Sequence, residues 1–234
     1  MLMARWQQIP GSLKAISVGS RTNVWGVNSA GSIYRYTNED AEPWVQIEGG
    51  LSDIGAGADG TVWGVNSVNS IYRYTGDQGT NRWVQISGGL VRIAAGSRTN
   101  VWGVNSTGNI YRYTNEDAEP WVQIEGGLSD IGAGADGTVW GVNSAGDIFR
   151  YTGDQGTNRW VHIPGKLVRI AVGSRTNVWG VNSAGNIYRY TNDDSNPWVQ
   201  IEGALSDIGA GADGTVWGVN SGGNIYRYTG DQPG

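Results

Sequence analysis

The chain has 234 residues, a formal net charge of −5 at pH 7 and no cysteine. Nucleic acid and anionic membrane surfaces are disfavoured as partners, because binding to phosphate groups needs clustered Lys and Arg, which this acidic sequence lacks. The lack of cysteine excludes disulfides and thiolate chemistry. No apolar run approaches the ~18 residues that a membrane-spanning helix needs.

The amino-terminal segment from Met1 to Trp6 lacks the apolar core and the small-residue cleavage site of a secretory signal peptide. We therefore predict a cytoplasmic protein with no membrane insertion. The first predicted element is the short β-prone run Trp6-Gln7-Gln8-Ile9.

The unit that begins at Trp44 illustrates the elements that follow. Its predicted strands are Trp44 to Ile47, Ser52 to Ala58, Thr61 to Asn66 and Ile71 to Thr75. An Asp-Gly pair, a hairpin signal, separates the second strand from the third, and a polar loop from Gly76 to Arg82 leads to the next unit. No segment shows the period of a helix.

The segment Val-Trp-Gly-Val-Asn-Ser occurs six times, at intervals that alternate between 38 and 39 residues. Neighbouring units also differ before this segment, with Gly-Ser-Arg-Thr-Asn in odd units and Gly-Ala-Asp-Gly-Thr in even units. The full period is therefore 38 + 39 = 77 residues, repeated three times. We predict a single domain over residues 1–234, built from six repeats.

Four-stranded units repeated at this spacing predict an all-β, six-bladed β-propeller with four antiparallel strands per blade. The small-residue strand suits the innermost position, and the Trp-Val-Gln-Ile strand suits the outermost. The chain opens with an outer-type strand, and the last unit lacks one before the chain stops at Gly230 to Gly234. The amino-terminal strand is therefore expected to complete the last blade and close the ring. A straight β-solenoid is the alternative.

Residues shared by odd and even units are the candidate site residues, because the loops of the two kinds of unit have diverged. The inner Trp is either a core aromatic between blades or a platform for a sugar ring. The Asn after it either closes a turn or presents its amide to ligand hydroxyls. The Arg of Ile-Tyr-Arg-Tyr has either a structural role, in which it bonds backbone carbonyls or stacks on a Trp, or a role in ligand contact. No acidic residue repeats six times to pair with it.

The first aromatic residue of Ile-Tyr-Arg-Tyr completes the predicted set. The candidate carbohydrate-binding residues are Trp25, Asn28, Tyr34, Arg35, Trp63, Asn66, Tyr72, Arg73, Trp102, Asn105, Tyr111, Arg112, Trp140, Asn143, Phe149, Arg150, Trp179, Asn182, Tyr188, Arg189, Trp217, Asn220, Tyr226 and Arg227.

Metal and cofactor sites are not predicted. The acidic loops Asn38-Glu39-Asp40 and Asn192-Asp193-Asp194 do not follow the spacing of a calcium loop, so we expect them to be solvated. Catalysis is also not expected, because the only histidine, His162, stands where other units carry Gln, and no carboxylate pair is singled out.

The repeated Val-Trp-Gly-Val-Asn-Ser and Ile-Tyr-Arg-Tyr motifs resemble those of the tectonin family, and most closely its mushroom members. The resemblance extends from Trp6 to Tyr228. It implies a six-bladed propeller lectin that recognises O-methylated mannose or fucose on bacterial or nematode glycans, with a role in fungal defence. Glycans are therefore the expected partners.

Two functions follow as hypotheses. The first is a multivalent lectin with a pocket at each blade junction, whose valency a homo-oligomer would multiply. The second is a protein-interaction scaffold without sugar binding. Six nearly equal blades favour the lectin, because scaffold propellers usually diverge blade by blade.

Overall fold

The computed structural model describes residues 5–76, 82–153 and 159–230, and these residues form 24 β-strands. The strands are β1 (Trp6–Ile9), β2 (Ala15–Ser20), β3 (Asn23–Val27), β4 (Ile33–Tyr36), β5 (Trp44–Ile47), β6 (Asp53–Ala56), β7 (Val62–Val65), β8 (Ile71–Tyr74), β9 (Trp83–Ile86), β10 (Arg92–Ser97), β11 (Asn100–Val104), β12 (Ile110–Tyr113), β13 (Trp121–Ile124), β14 (Asp130–Ala133), β15 (Val139–Val142), β16 (Ile148–Tyr151), β17 (Trp160–Ile163), β18 (Arg169–Ser174), β19 (Asn177–Val181), β20 (Ile187–Tyr190), β21 (Trp198–Ile201), β22 (Asp207–Ala210), β23 (Val216–Val219) and β24 (Ile225–Tyr228).

These strands form six four-stranded antiparallel sheets, which are the blades of a propeller. Blade 1 contains β2–β5, blade 2 contains β6–β9, blade 3 contains β10–β13, blade 4 contains β14–β17, blade 5 contains β18–β21, and blade 6 contains β22–β24 together with β1. The first strand of each unit lies innermost, and each inner strand packs against the inner strands of both neighbouring blades. The predicted six-bladed fold is confirmed, and the solenoid alternative is wrong.

The ring closes through the amino-terminal strand, as predicted. Strand β1 pairs antiparallel with β24, with Trp6 opposite Tyr228 and Ile9 opposite Ile225. Blade 6 therefore takes three strands from one end of the described chain and one from the other. This pairing joins the two ends by backbone hydrogen bonds as well as by packing.

Glycine allows the inner strands to approach each other closely. A Cβ on Gly96 of blade 3 would overlap the carbonyl group of Gly134 in blade 4, and a Cβ on Gly19 would overlap Gly57 in the same way. A larger residue at these positions would force the inner strands apart. The small-residue pattern of this strand is thus a packing requirement of the propeller centre.

The hydrophobic core lies between blades, in six similar clusters. In one of them, Trp63 and Ile71 of blade 2 pack with Ile93, Val101 and Tyr113 of blade 3. Each blade therefore buries both faces against its neighbours. We call the space between two neighbouring blades a seam.

Some predicted segments lie outside the described residues. These are most of the polar loop from Gly76 to Arg82, its counterpart at 154–158, and the terminal residues 1–4 and 231–234. Among the described residues, no helix is long and apolar enough to cross a membrane.

Candidate functional site

Each seam contains an aromatic cluster formed by two blades. In the seam between blades 2 and 3, the rings of Trp63 and Tyr113 lie 4.8 Å apart, and Trp121 lies 5.8 Å from Trp63, both edge to face. The six inner tryptophans are at most 1% exposed. Their faces are covered by neighbouring rings, so they pack as core aromatics and offer no open stacking platform. The buried residues are Trp25, Trp63, Trp102, Trp140, Trp179 and Trp217.

The repeated arrangement of Arg and Trp within each blade follows from strand pairing. Trp63 and Arg73 are directly opposite on β7 and β8, and the guanidinium carbon lies 5.4 Å from the indole centroid. The six blades repeat this contact at 5.4 to 5.6 Å. A guanidinium over an indole face at this distance is a cation–π contact. The structure thus brings together the predicted Trp and Arg.

Arg73 also reaches across the seam to the next blade. Its Nη1 donates to the Tyr113 hydroxyl at 3.2 Å, and its two Nη atoms bind the two Asp117 carboxylate oxygens at 2.8 Å each. The Tyr113 hydroxyl donates to the same carboxylate. Arg, Tyr and Asp therefore form a clamp at one end of the seam.

Two further seams carry the same clamp. Arg150 of blade 4 binds Asp194 of blade 5 through two 2.8 Å bonds, and Arg227 of blade 6 binds Asp40 of blade 1 at 2.8 and 2.9 Å. The pKa of the clamp aspartate is lowered to about 2 in all three seams. The hydrogen bonds from Arg are the largest cause, and the hydrogen bond from Tyr is the second. The expectation that the loops around Asp40 and Asp194 are only solvated is wrong, because both carboxylates fasten a seam.

The sequence pattern does not reveal this clamp, because its acid repeats three times in the chain and not six. Asp40, Asp117 and Asp194 recur every 77 residues, in the loop before the outer Trp of odd blades. The corresponding loops of blades 2 and 4 lie largely outside the described residues. In the other three seams, Arg35, Arg112 and Arg189 donate to the hydroxyls of the facing tyrosines at 3.4 to 3.5 Å.

The predicted asparagines lie at the other end of the blades, where they close turns. The Asn66 side-chain oxygen accepts hydrogen bonds from the backbone N–H groups of Val68 at 3.1 Å and Ser70 at 2.9 Å. The same pair of bonds recurs at Asn28, Asn105, Asn143, Asn182 and Asn220. The structure therefore separates the Asn residues from the Trp–Arg group, and their side-chain oxygens are engaged locally.

The first aromatic residue of Ile-Tyr-Arg-Tyr lies on the opposite face of its strand from Arg. Tyr72, for example, packs against the cluster that contains Trp25 of the preceding blade. Its cross-strand partner is Gln85, and Tyr34, Tyr111, Tyr188 and Tyr226 also lie opposite Gln. In blade 4, Phe149 instead lies opposite His162, with ring centroids 5.5 Å apart. Phe149 and His162, which replace the Tyr and Gln of the other blades, are thus direct cross-strand neighbours.

Clefts large enough for a monosaccharide lie in two seams at the clamp end. The cleft between blades 6 and 1 has a volume of about 450 Å³ and includes Trp217, Arg227 and Tyr36. The cleft between blades 4 and 5 has a volume of about 610 Å³ and includes Trp140 and Arg150. Small-molecule sites span about 300 to 1,000 Å³ and combine apolar walls with a few polar groups. Both clefts lie in that size range, and both are lined mostly by polar and charged side chains together with Trp and Tyr rings.

A third cavity, of about 340 Å³, lies at one mouth of the central channel. The residues at the start of the inner strands form a ring around it, with acidic residues in even blades and basic residues in two odd blades. In blade order, the ring is Ala15, Asp53, Arg92, Asp130, Arg169 and Asp207. Burial raises the pKa of Asp53 to about 6 and that of Asp207 to about 7. Within the described part of the chain, no group of three or more His, Cys, Asp or Glu could hold a metal ion.

The fold and the seams define a six-bladed β-propeller whose blades repeat one Trp–Arg–Tyr arrangement. The family model of the Tectonin domain matches residues 2–43, 38–197 and 118–233. The chain belongs to the tectonin family.

Solved structures share the fold at low sequence identity. YCF48 from Cyanidioschyzon merolae is 18% identical, with a TM-score of 0.59, over 97% of this chain and 85% of its own. Streptogramin B lyase is 22% identical, with a TM-score of 0.62, over 91% and 77%. The propeller domain of Cps50 (Swd1) from Myceliophteria thermophila is 8% identical, with a TM-score of 0.65, over 97% and 100%. No curated protein sequence matches significantly.

Proposed function

We propose that this protein is a multivalent lectin that binds sugars in its seams, beside the Arg–Tyr–Asp clamps. The observation that carries the proposal is the pair of matching clefts, of about 450 and 610 Å³, at symmetry-related seams. Each cleft places a guanidinium group and a tyrosine hydroxyl beside aromatic carbon. Sugars present hydroxyls and apolar C–H faces together, so this combination suits them.

Weak individual sites become effective on a surface that displays many copies of the same sugar. A single monosaccharide site typically binds with a dissociation constant of about 1 mM, or roughly −4 kcal/mol. Several sites on one rigid body can raise avidity by roughly 10²–10⁴ when their spacing matches the target. Repeated seams therefore favour binding to surfaces densely covered with glycans over binding to free sugar.

We propose O-methylated mannose or fucose as the ligand, in line with the resemblance to the mushroom tectonins, and defence against bacteria or nematodes as the role. Burial of a methyl group contributes about 0.8 kcal/mol, which is only a few-fold in affinity. Strong preference for the methylated sugar would require a cleft that leaves the unmethylated hydroxyl without a partner.

A glycan array followed by calorimetric titration with methylated mannosides tests the proposal. We expect binding to methylated sugars and weaker binding by the triple variant Asp40→Asn, Asp117→Asn, Asp194→Asn, which loosens all three described clamps. Its control carries Glu42→Gln, Glu119→Gln and Glu202→Gln, an equal charge change at residues outside the clamps.

No binding to any methylated or plain sugar would contradict the proposal, as would equal affinity in the clamp variant and its control. A stoichiometric protein partner whose binding is indifferent to sugar would instead support the scaffold hypothesis.

A further inference from the structure

The indole N–H groups of the inner tryptophans fall into two classes. In odd blades, Trp25, Trp102 and Trp179 donate to the side-chain oxygens of Asn23, Asn100 and Asn177 at 2.8 to 2.9 Å. In even blades, Trp63, Trp140 and Trp217 have buried Nε1 atoms with no hydrogen-bond partner among the described residues. A Thr replaces the Asn two positions before each of them, at 61, 138 and 215.

Two of the three tryptophans with unpaired N–H groups, Trp140 and Trp217, line the clefts. In odd blades, the indole N–H is directed at the side chain two residues earlier in the strand. The corresponding residues in even blades, Thr138 and Thr215, line the two clefts together with Trp140 and Trp217. An even-blade indole with the orientation seen in odd blades directs its N–H toward the threonine that replaces Asn, and at 138 and 215 this threonine lines a cleft.

We call the seams between blades 2 and 3, 4 and 5, and 6 and 1 the even-to-odd seams. Hydrogen bonds that do not involve the indole N–H hold these seams together. The Asp213 carboxylate of blade 6 accepts the Arg21 backbone N–H of blade 1 at 2.9 Å, and Asp59–Arg98 and Asp136–Arg175 repeat this bond. In the other seams, the Asn that caps the indole also bonds across the seam, as Asn23 does to the Gly57 carbonyl at 2.7 Å. The indole N–H of an odd blade thus bonds an Asn side chain of its own blade. The indole N–H of an even blade is left without a protein partner among the described residues.

We infer that the even-to-odd seams are the tighter sugar sites, and that their buried indole N–H donates to an ether oxygen of the ligand. This inference rests on the proposed lectin function. An indole N–H only donates, so the matching ligand atom must accept. A methyl ether oxygen or a ring oxygen accepts a hydrogen bond and carries no proton. A hydroxyl would also bring an O–H donor that needs its own acceptor. Pairing the N–H also removes the penalty of an unsatisfied buried donor.

Nuclear magnetic resonance of the assigned tryptophan indole N–H signals tests the inference on the unaltered protein. During titration with a methyl mannoside that carries one further O-methyl group, we expect the signals of Trp63, Trp140 and Trp217 to shift first and farthest. The signals of Trp25, Trp102 and Trp179 should move little at the same sugar concentration.

A triple variant, Thr61→Asn, Thr138→Asn, Thr215→Asn, places in even blades the cap that odd blades already contain. We expect the tighter class of sites to become at least tenfold weaker in calorimetry. The control, Ser67→Asn, Ser144→Asn, Ser221→Asn, adds the same side chains at exposed turns at the other end of the same blades and should bind as the unaltered protein does.

Sugar binding that leaves the Trp63, Trp140 and Trp217 signals unmoved would overturn the inference while the lectin function stands, and so would unchanged affinity in the Thr→Asn variant. Failure to bind any sugar would overturn the lectin function and this inference with it.

Discussion

The seams and the channel mouth both bring carboxylates near arginines, but they do so in opposite electrostatic settings. At the seams, Asp117 is about half exposed, at 49% of its side chain, and binds Arg73 through two short bonds. At the channel mouth, Asp207 is 19% exposed, and its nearest guanidinium nitrogen, on Arg169, lies 3.9 Å away. Hydrogen bonding lowers the pKa of Asp117, whereas burial raises that of Asp207.

The two regions also differ in symmetry. The three described clamps repeat the same residues, while Ala15 interrupts the channel ring where blades 3 and 5 carry Arg92 and Arg169. A multivalent ligand needs equal copies of one site. The seams supply them and the channel mouth does not, so repetition and chemistry together favour the seams.

Removing an inner tryptophan should have the largest effect. Trp140→Ala leaves a cavity between blades 4 and 5 where the ring is 0% exposed, and we expect the free energy of unfolding to fall by about 3–5 kcal/mol. Urea denaturation measures it. Val161→Ala, on the outer strand of the same blade, is the exposed control, with an expected change of about 0.5 kcal/mol or less. A loss below that of the control would contradict the assignment of Trp140 to the core.

Completing the channel ring should have the next largest effect. In the unaltered protein the pKa values of Asp53 and Asp207 are raised to about 6 and 7. Their contribution to stability is therefore full below the unfolded value of 3.8 and is lost as pH rises through about 6 for Asp53 and about 7 for Asp207. Ala15→Arg should lower both pKa values, so we expect a gain of about 1–2 kcal/mol at pH 8 and little change at pH 4.

Denaturation at a series of pH values measures this gain, and Ala15→Gln is the uncharged control for side-chain volume. The Ala15→Arg variant and the unaltered protein could instead show the same dependence of stability on pH. That result would show that the lack of an arginine at position 15 does not set these pKa values.

Weakening one seam clamp should have a smaller effect, with the opposite dependence on pH. Because the pKa of Asp117 is lowered to about 2, its contribution is full above 3.8 and is lost as pH falls through 2. Asp117→Asn should lower the free energy of unfolding by about 0.5–1 kcal/mol at pH 7, since half-exposed ion pairs contribute modestly. The difference from the unaltered protein should shrink as pH falls toward 2. Glu119→Gln is the control, and a difference independent of pH would count against the clamp.

Restoring the repeat in blade 4 should have the smallest effect on stability. Phe149→Tyr with His162→Gln replaces the cross-strand pair of a partly buried Phe149 and an exposed His162 by the pair found in the other blades, so we expect a change within about 0.5 kcal/mol. Calorimetric unfolding measures it. If the tyrosine hydroxyl contributes to binding, the seam between blades 3 and 4 should gain affinity in the same variant, with His162→Gln alone as control. A destabilisation well beyond this range would show that the Phe149–His162 contact is structural.

The sequence was sufficient for the fold but not for the clamps. The spacing of Val-Trp-Gly-Val-Asn-Ser predicted six blades, and the outer-type strand at Trp6 predicted ring closure, because both depend on local pattern. Asp117 was missed because its partner, Arg73, lies in another blade, a relation that only the packed ring shows. The unpaired indoles had a visible signal, the alternation of Asn23 and Thr61 two residues before Trp, but its meaning depends on where the N–H points.

A crystal soaked with a methylated mannoside tests the central claim most directly. We predict electron density for the sugar in the even-to-odd seams, beside Arg150 and Asp194 and beside Arg227 and Asp40. A saccharide bound only at the channel mouth, or seams without density at a concentration that saturates binding in solution, would contradict the account.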